Sequence, residues 1–270
     1  MCPVIHPTAI IDPKAEVHPS ADIGPYAVIG ADVVLGAACV IGPHVHITGQ
    51  TTMGTHNRIH AGCVIGDAPQ DLKYTGAPTR LRIGDDNVFR EHVTVHRSNS
   101  MEEDTVIGSH NLFMAHSHVG HNAVVGDHNV LVNGALLGGH VTVADRALIS
   151  GNAMVHQFCR IGTLALMQGG AVMTKDLPPF CVASGLNTLC GLNTVGLRRA
   201  GFTTEQRREL QWLYRQLFLS GKNVREAVTE ARAGGVASTG LRLLDFIAQS
   251  KRGVCTHGHR AGGEAAAAEH

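Results

Sequence analysis

Counting by sixes from Ile5 meets an aliphatic residue or methionine at every step to Ile65, through Ile11, Val17, Ile23, Ile29, Leu35, Ile41, Ile47, Met53 and Ile59. The count resumes at Ile83, Phe89 and Val95, then runs unbroken from Ile107 to Met173. An amphipathic helix would repeat near 3.6 residues and a strand at two. A period of six instead describes a short extended segment, a turn and the next segment, the signature of a parallel β-helix. Three such hexapeptides close one triangular coil, so residues eighteen apart stack on one another. The bulky column fills the prism. A second, mostly small column (Ala9, Ala15, Ala21, Ala27 and Cys39, later Ala147, Ala153, Cys159, Ala165 and Ala171) lets the corners tighten. Gly, Asn and Asp after the aliphatic suit turns that need positive φ. The expected fold is therefore mainly β, a parallel β-helix over residues 1–180.

Two segments interrupt the count. Residues 67–79 (DAPQDLKYTGAPT) carry two prolines and several charges, and residues 97–105 (RSNSMEEDT) are strongly polar. Both read as loops thrown out from the prism, and loops on a rigid scaffold commonly carry binding residues. Beyond Pro178-Pro179 the pattern turns helical, giving an expected small α-helical domain over 186–252. Its helices are predicted at 188–200, from Thr203 or Thr204 to about Ser220, after an Asn223/Glu226 capping box, and from Thr239 to near Gly253. The tail over 253–270 has no apolar face and is expected to be disordered.

Composition narrows the function. Lys+Arg and Asp+Glu both number 22, so the chain lacks the basic surplus that holds nucleic acid. No apolar run is long enough for a membrane helix, and the start has no export signal. Seven cysteines without a C-x-x-C pair fit neither a disulfide framework nor a thiolate metal site. A cytoplasmic protein is expected. Cys39, Cys63 and Cys159 fall in the small column and read as packing residues.

The densest polar cluster within the repeats is His116, His118, His121 and Asn122, followed by His140 and His156-Gln157. At eighteen residues per coil His121 stacks over Gly139 and Gln157, Gly120 over Gly138 and His156, and Asn122 over His140. Neutral imidazole can take a proton from a hydroxyl or amine attacking an activated acyl group. Three imidazoles can also ligate zinc, with water in the open place. The spacing H-x-H-x-x-H alone does not separate these chemistries.

The segments QDLKYTGAPTR (70–80), REHVTVHR (90–97), HVGHN (118–122), LGGHV (137–141), VHQFCRIG (155–162) and GLNTVGLRRAGF (191–202) do. With them the chain resembles the hexapeptide-repeat acyltransferases, specifically the UDP-N-acetylglucosamine O-acyltransferases that open lipid A biosynthesis, in family order to about residue 250. The resemblance implies a left-handed β-helix with a C-terminal helical region, assembled as a homotrimer with active sites between subunits. It implies direct transfer of an (R)-3-hydroxyacyl chain from acyl carrier protein to the glucosamine 3-position of a UDP-sugar, without cofactor, metal or covalent acyl-enzyme. In these terms His121 is the general base and the Gly139 N–H the oxyanion donor. His118, His140, His156, Gln157 and His96 hold the UDP-sugar or its acylated product. Gln70, Asp71 and Lys73 match a ligand-reaching loop, with Lys73 the natural phosphate contact. Asn193 and Arg199 lie near the nucleotide. Gly169 falls where the acyl-length ruler sits, and a glycine there implies a long chain.

Three positions depart from the family pattern. Asn122 replaces the acidic residue that usually follows the base, Val195 a frequent Glu, and Ala200 a frequent second Arg. The first makes a 3-amino sugar acceptor an alternative to the 3-hydroxyl, since an amine needs a weaker base. A γ-carbonic-anhydrase-like zinc enzyme on the same prism is the other alternative.

Overall fold

The computed structural model describes residues 4–257. From Ile10 to Met173 the chain winds through short strands that stack in parallel on three faces; with the strands that follow Met173 the three sheets hold nine, eight and eleven strands among the described residues. This is the expected left-handed β-helix. The column counted by sixes is its core: Ile29, Ile47, Ile65, Val95, Val119, Leu137, Val155 and Met173 are all at most 3% exposed. Phe89 and Phe113 stack inside the prism with ring centroids 4.7 Å apart. Cys39, Cys63 and Cys159 are fully buried, and burial pushes the Cys63 and Cys159 thiols up to about 11. They are packing residues, as their column predicts.

Each coil turns at a residue in the left-handed region, which glycine, asparagine and histidine tolerate better than most. Seven histidines (His44, His56, His92, His110, His116, His128 and His140) occupy such positions, with φ between 55° and 59°. Much of the histidine content is therefore turn chemistry. His116 belongs to it: the ring stacks on His92 at 5.2 Å, on a different corner from His121.

Register follows the eighteen-residue coil, as in Ile10↔Val28 and His118↔Leu136. Val64 instead pairs with Thr94, and Thr94 with His118. The two longer steps hold the excursions, 68–79 and 97–104, which leave the prism at the same corner as the turn carrying His121. The surplus is two hexapeptides and one, so the aliphatic column keeps its phase.

The end of the prism departs from the sequence reading. Cys181–Ser184 adds one more parallel strand, and Thr188–Leu192, expected to be helical, is a strand that pairs with it antiparallel. Helix α1 (Thr194–Arg199) is correspondingly short. Helix α2 (Thr204–Phe218) begins at Thr203 with a full capping box. In α3 (Val224–Ala233) Asn223 caps Arg225 N–H, without the reciprocal Glu226 bond expected. Helix α4 (Ser238–Ala248) starts after Ala237, which has no capping side chain, and stops well short of Gly253. Leu210, Leu213, Leu217, Leu243 and Leu244 close a second core over Phe180. An ion pair of half-buried Arg160 with buried Asp176 (2.9 Å), extended by the Arg160 guanidinium to the Phe246 carbonyl, ties this region to the prism. The tail reading is corrected at its start: Val254 and Cys255 are buried, and Thr256–His257 pairs with Thr188 and Leu189. Its remainder, 258–270, lies outside the described residues, as does Cys2. No helix among the described residues is long and apolar enough to cross a membrane.

Candidate active site

The corner that carries both excursions also carries a groove of about 510 Å³. One wall is polar, with Gln70, His96, His118, His121, His156 and Gln157 around Gly120, Gly138 and Gly139. The other is apolar: Leu136, Met154 and Val172 are successive register partners on one sheet face and continue the line of His118. Leu136 and Met154 are 40% and 43% exposed, an unusual state for neighbouring large apolar side chains.

Glycines open the groove. A Cβ at Gly120 would lie 2.8 Å from the Gly138 and Gly139 backbone, and one at Gly138 would lie 2.8 Å from Gln157 N. At Gly139 it would lie 2.7 Å from His121 Nε2. The base candidate and the oxyanion candidate are thus in contact across one coil step.

His121 is held from behind. Its Nδ1 is 2.8 Å from Asn122 Oδ1. Which way the Asn122 amide faces follows from its other partners. The Asn99 N–H donates to Oδ1 at 3.0 Å, and Nδ2 donates to Ser98 Oγ at 2.9 Å. The Ser98 hydroxyl hydrogen goes to the Ser100 carbonyl, so Ser98 Oγ accepts from the amide. Asn122 Oδ1 therefore accepts the Nδ1–H, and His121 Nε2, unprotonated, faces the groove. Asn122 itself is only 5% exposed, with its N–H on Thr105 Oγ1.

Three neighbouring imidazoles, His96, His118 and His140, are hydrogen-bonding groups rather than cations. Burial pushes His118 down to about 4 and lowers His96 and His140 as well. His118 Nδ1 pairs with Thr94 Oγ1 at 2.7 Å, and His96 meets the His118 ring edge-on. His96 lines the groove, and its Nδ1 is buried without a hydrogen-bond partner. His140 lies edge-on to His121, stacked on Phe158.

Other expected site residues stand outside this groove. Asp71 and Lys73 lie on the first excursion, where Asp71 accepts from Lys73 N and from Asn99 Nδ2 at 2.7 Å. Those bonds hold its carboxyl below the usual range. The loop is also pinned by Arg97, which donates to the Gly66 carbonyl and to Tyr74 Oη. Asn193 is engaged elsewhere: its side chain caps α1 at Gly196 N–H and donates to the Leu164 carbonyl. Arg199 is exposed on α1 and lines no part of the groove. Gly169 lies exposed on the opposite edge of the sheet, three residues before Val172. The sequence reading did not single out Ser98, Asn99, Leu136, Met154 or Val172; the polar run 97–105 was the available signal for the first two. Among the described residues no group of three or more His, Cys, Asp or Glu within one chain is arranged to hold a metal ion.

Comparison with known proteins places the chain and its fold in a family. Residues 104–139 match the family model for the bacterial transferase hexapeptide (six repeats), and 176–255 that for UDP-N-acetylglucosamine O-acyltransferase, domain 2. The acyl carrier protein–dependent UDP-N-acetylglucosamine O-acyltransferase of Psychromonas ingrahamii is 57% identical over 93% of this chain and 97% of its own length. That of Syntrophobacter fumaroxidans is 43% identical over 93% and 98%. The solved UDP-N-acetylglucosamine acyltransferase of Francisella novicida superposes with a TM-score of 0.90 at 36% identity, covering 99% of this chain and all of that one. Sustained over nearly the whole of both chains, such identity settles the relationship: the chain belongs to the UDP-N-acetylglucosamine O-acyltransferase family.

Proposed function

We propose that this protein transfers an (R)-3-hydroxyacyl chain from acyl carrier protein to the 3-hydroxyl of UDP-N-acetylglucosamine, the first step of lipid A biosynthesis, in the cytoplasm. The observation that carries the reading is His121 held at Nδ1 by Asn122, with Nε2 against Gly139 in a groove that is polar at one wall and apolar at the other. His121 Nε2 takes the proton as the sugar oxygen attacks the thioester carbonyl. The new C–O bond leaves a tetrahedral oxyanion, which the Gly139 N–H stabilises. Collapse breaks the C–S bond, and the imidazolium returns its proton to the departing thiolate. His96, His118, His156 and Gln157 orient the sugar by directional hydrogen bonds. Gln70, Asp71 and Lys73 approach the nucleotide from the excursion, and Leu136, Met154 and Val172 line the acyl path. Arg199 serves the nucleotide from the helical region, with Asn193 shaping that helix. Mass spectrometry of products from a ladder of acyl carrier protein thioesters and UDP-N-acetylglucosamine should show a single O-acyl ester. No acylated sugar with any donor would reject the reading, and amide formation on a 3-amino sugar alone would shift the acceptor.

The acyl path is open along one side in a single chain, so we propose a homotrimer in which a neighbour completes it. Light scattering at micromolar concentration should return about three times 28.6 kDa. A stable, active monomer would contradict this.

Gly169 sets the preferred chain length in this reading, since it stands at the corner beyond Val172. A Cβ there meets only the Gly151 carbonyl, at 3.6 Å, so a side chain fits without backbone strain. Gly169→Met should shorten the preferred chain. Overpacking of about 1–3 kcal/mol corresponds to roughly 5- to 150-fold discrimination against the longer donor. An unchanged preference would place the end of the acyl path elsewhere.

A further inference from the structure

Behind the His121–Asn122 pair stands a carboxylate from the second excursion. Glu103 Oε2 is 3.5 Å from Asn122 Nδ2 and 3.6 Å from His140 Nδ1, and its side chain is 65% exposed. One Asn122 Nδ2 hydrogen goes to Ser98 Oγ, and Glu103 accepts from the same nitrogen. A negative charge at the N–H side of an amide polarises it, placing more electron density on Oδ1. That oxygen is the one that accepts from His121. We propose that Glu103 is a positioning residue for the base, acting through Asn122, so that His121–Asn122–Glu103 does the work of a histidine–carboxylate pair with the charge one amide further out. Glu103 touches neither substrate nor reacting atoms in this arrangement. The inference rests on the reading of His121 as base.

The other titratable groups facing His121 are Asp71, His96, His118 and His140. Burial favours the neutral form of all three of these imidazoles, and an imidazole in either protonation state supplies no negative charge to balance an imidazolium. Asp71 already accepts from Asn99 Nδ2 and Lys73 N. Glu103 is the carboxylate whose hydrogen-bonded route to His121 runs through a single side chain.

The test measures kcat, KM and the pH dependence of kcat/KM for wild type, Glu103→Gln, Asn122→Asp and the double variant. Glu103→Gln should lower kcat roughly three- to tenfold, the scale of one partly screened charge a few ångströms away. KM should stay within about twofold, since no substrate contact is lost. The acidic limb should move to lower pH, because removing an opposite charge disfavours imidazolium. In Asn122→Asp a carboxylate adjoins the ring directly and the limb should move to higher pH. There Glu103→Gln should no longer lower kcat, since two facing carboxylates are relieved. An equal loss of kcat in both backgrounds, a change confined to KM, or an unmoved acidic limb would overturn the proposal. Activity surviving in His121→Ala would instead reject the reading of the base, so the two failures are distinguishable.

Discussion

His121→Ala should lose about a thousandfold in kcat/KM for acyl transfer while its melting temperature stays near that of wild type. The two outcomes have separate causes. A positioned general base contributes about 10²–10⁴ to a rate, and among the described residues His121 is the imidazole whose Nδ1 is held by an acceptor with Nε2 left against the oxyanion donor. His96 and His118 are not substitutes, since burial lowers the basicity of both. The side chain stands in a turn outside the prism core and contributes little to the packed column. The measurement is initial rate with a matched acyl carrier protein thioester beside a thermal melt. A variant that kept a tenth of the activity would mean that another group takes the proton.

Gly139→Ala should also cost activity heavily, about a hundredfold, through a single methyl group. The new Cβ would lie 2.7 Å from both Nε2 and Cε1 of His121, a distance that cannot be held. Gly139 is outside the left-handed region, so alanine brings no backbone strain there. The imidazole must swing away from its acceptor on Asn122 or block the place of the attacking oxygen. Displacement of a catalytic group by about 1 Å typically costs about a hundredfold, and that is the expected loss in kcat. Gly169→Ala is the matched control, because its Cβ meets nothing closer than 3.6 Å. It should fold and turn over a short-chain donor like wild type. Equal activity of the two alanine variants would refute the close approach of Gly139 and His121.

The prism was legible because its signal is redundant. Each inward aliphatic recurs six residues later and packs on its counterpart in the next coil, so Ile29, Ile47 and Ile65 report one environment repeatedly. The two excursions were legible for the converse reason: the count failed there and then resumed in phase. Thr188–Leu192 was not. Its apolar spacing suits a helix, but antiparallel pairing with Cys181–Ser184 decided it, an override of local preference by tertiary context. Asn193 was legible as a helix cap by its residue type, since asparagine before Thr-Val-Gly suits an N-cap, but its resemblance to a ligand position obscured that. The stacking of His121 over Gly139 followed from coil arithmetic alone. The Ser98, Asn99 and Glu103 contacts to Asn122 did not, because an excursion has no periodicity to fix which of its polar side chains fold back on the prism.

The strand Thr188–Leu192 also bears on why the molecule has a finite length. A parallel β-helix is a self-templating lattice: its last coil offers a row of backbone donors and acceptors on which another coil, from this chain or a second one, could crystallise. On one of the three faces that row is met by a strand running the wrong way, followed by helices that bury Phe180 beneath them. Reversal of chain direction changes the spacing of the hydrogen bonds, and Thr256–His257 takes up the outer side of Thr188 and Leu189, so a further coil does not meet the prism's own row on that face. The helical end thus works as a terminator, separating a discrete enzyme from a fibre built on the same repeat.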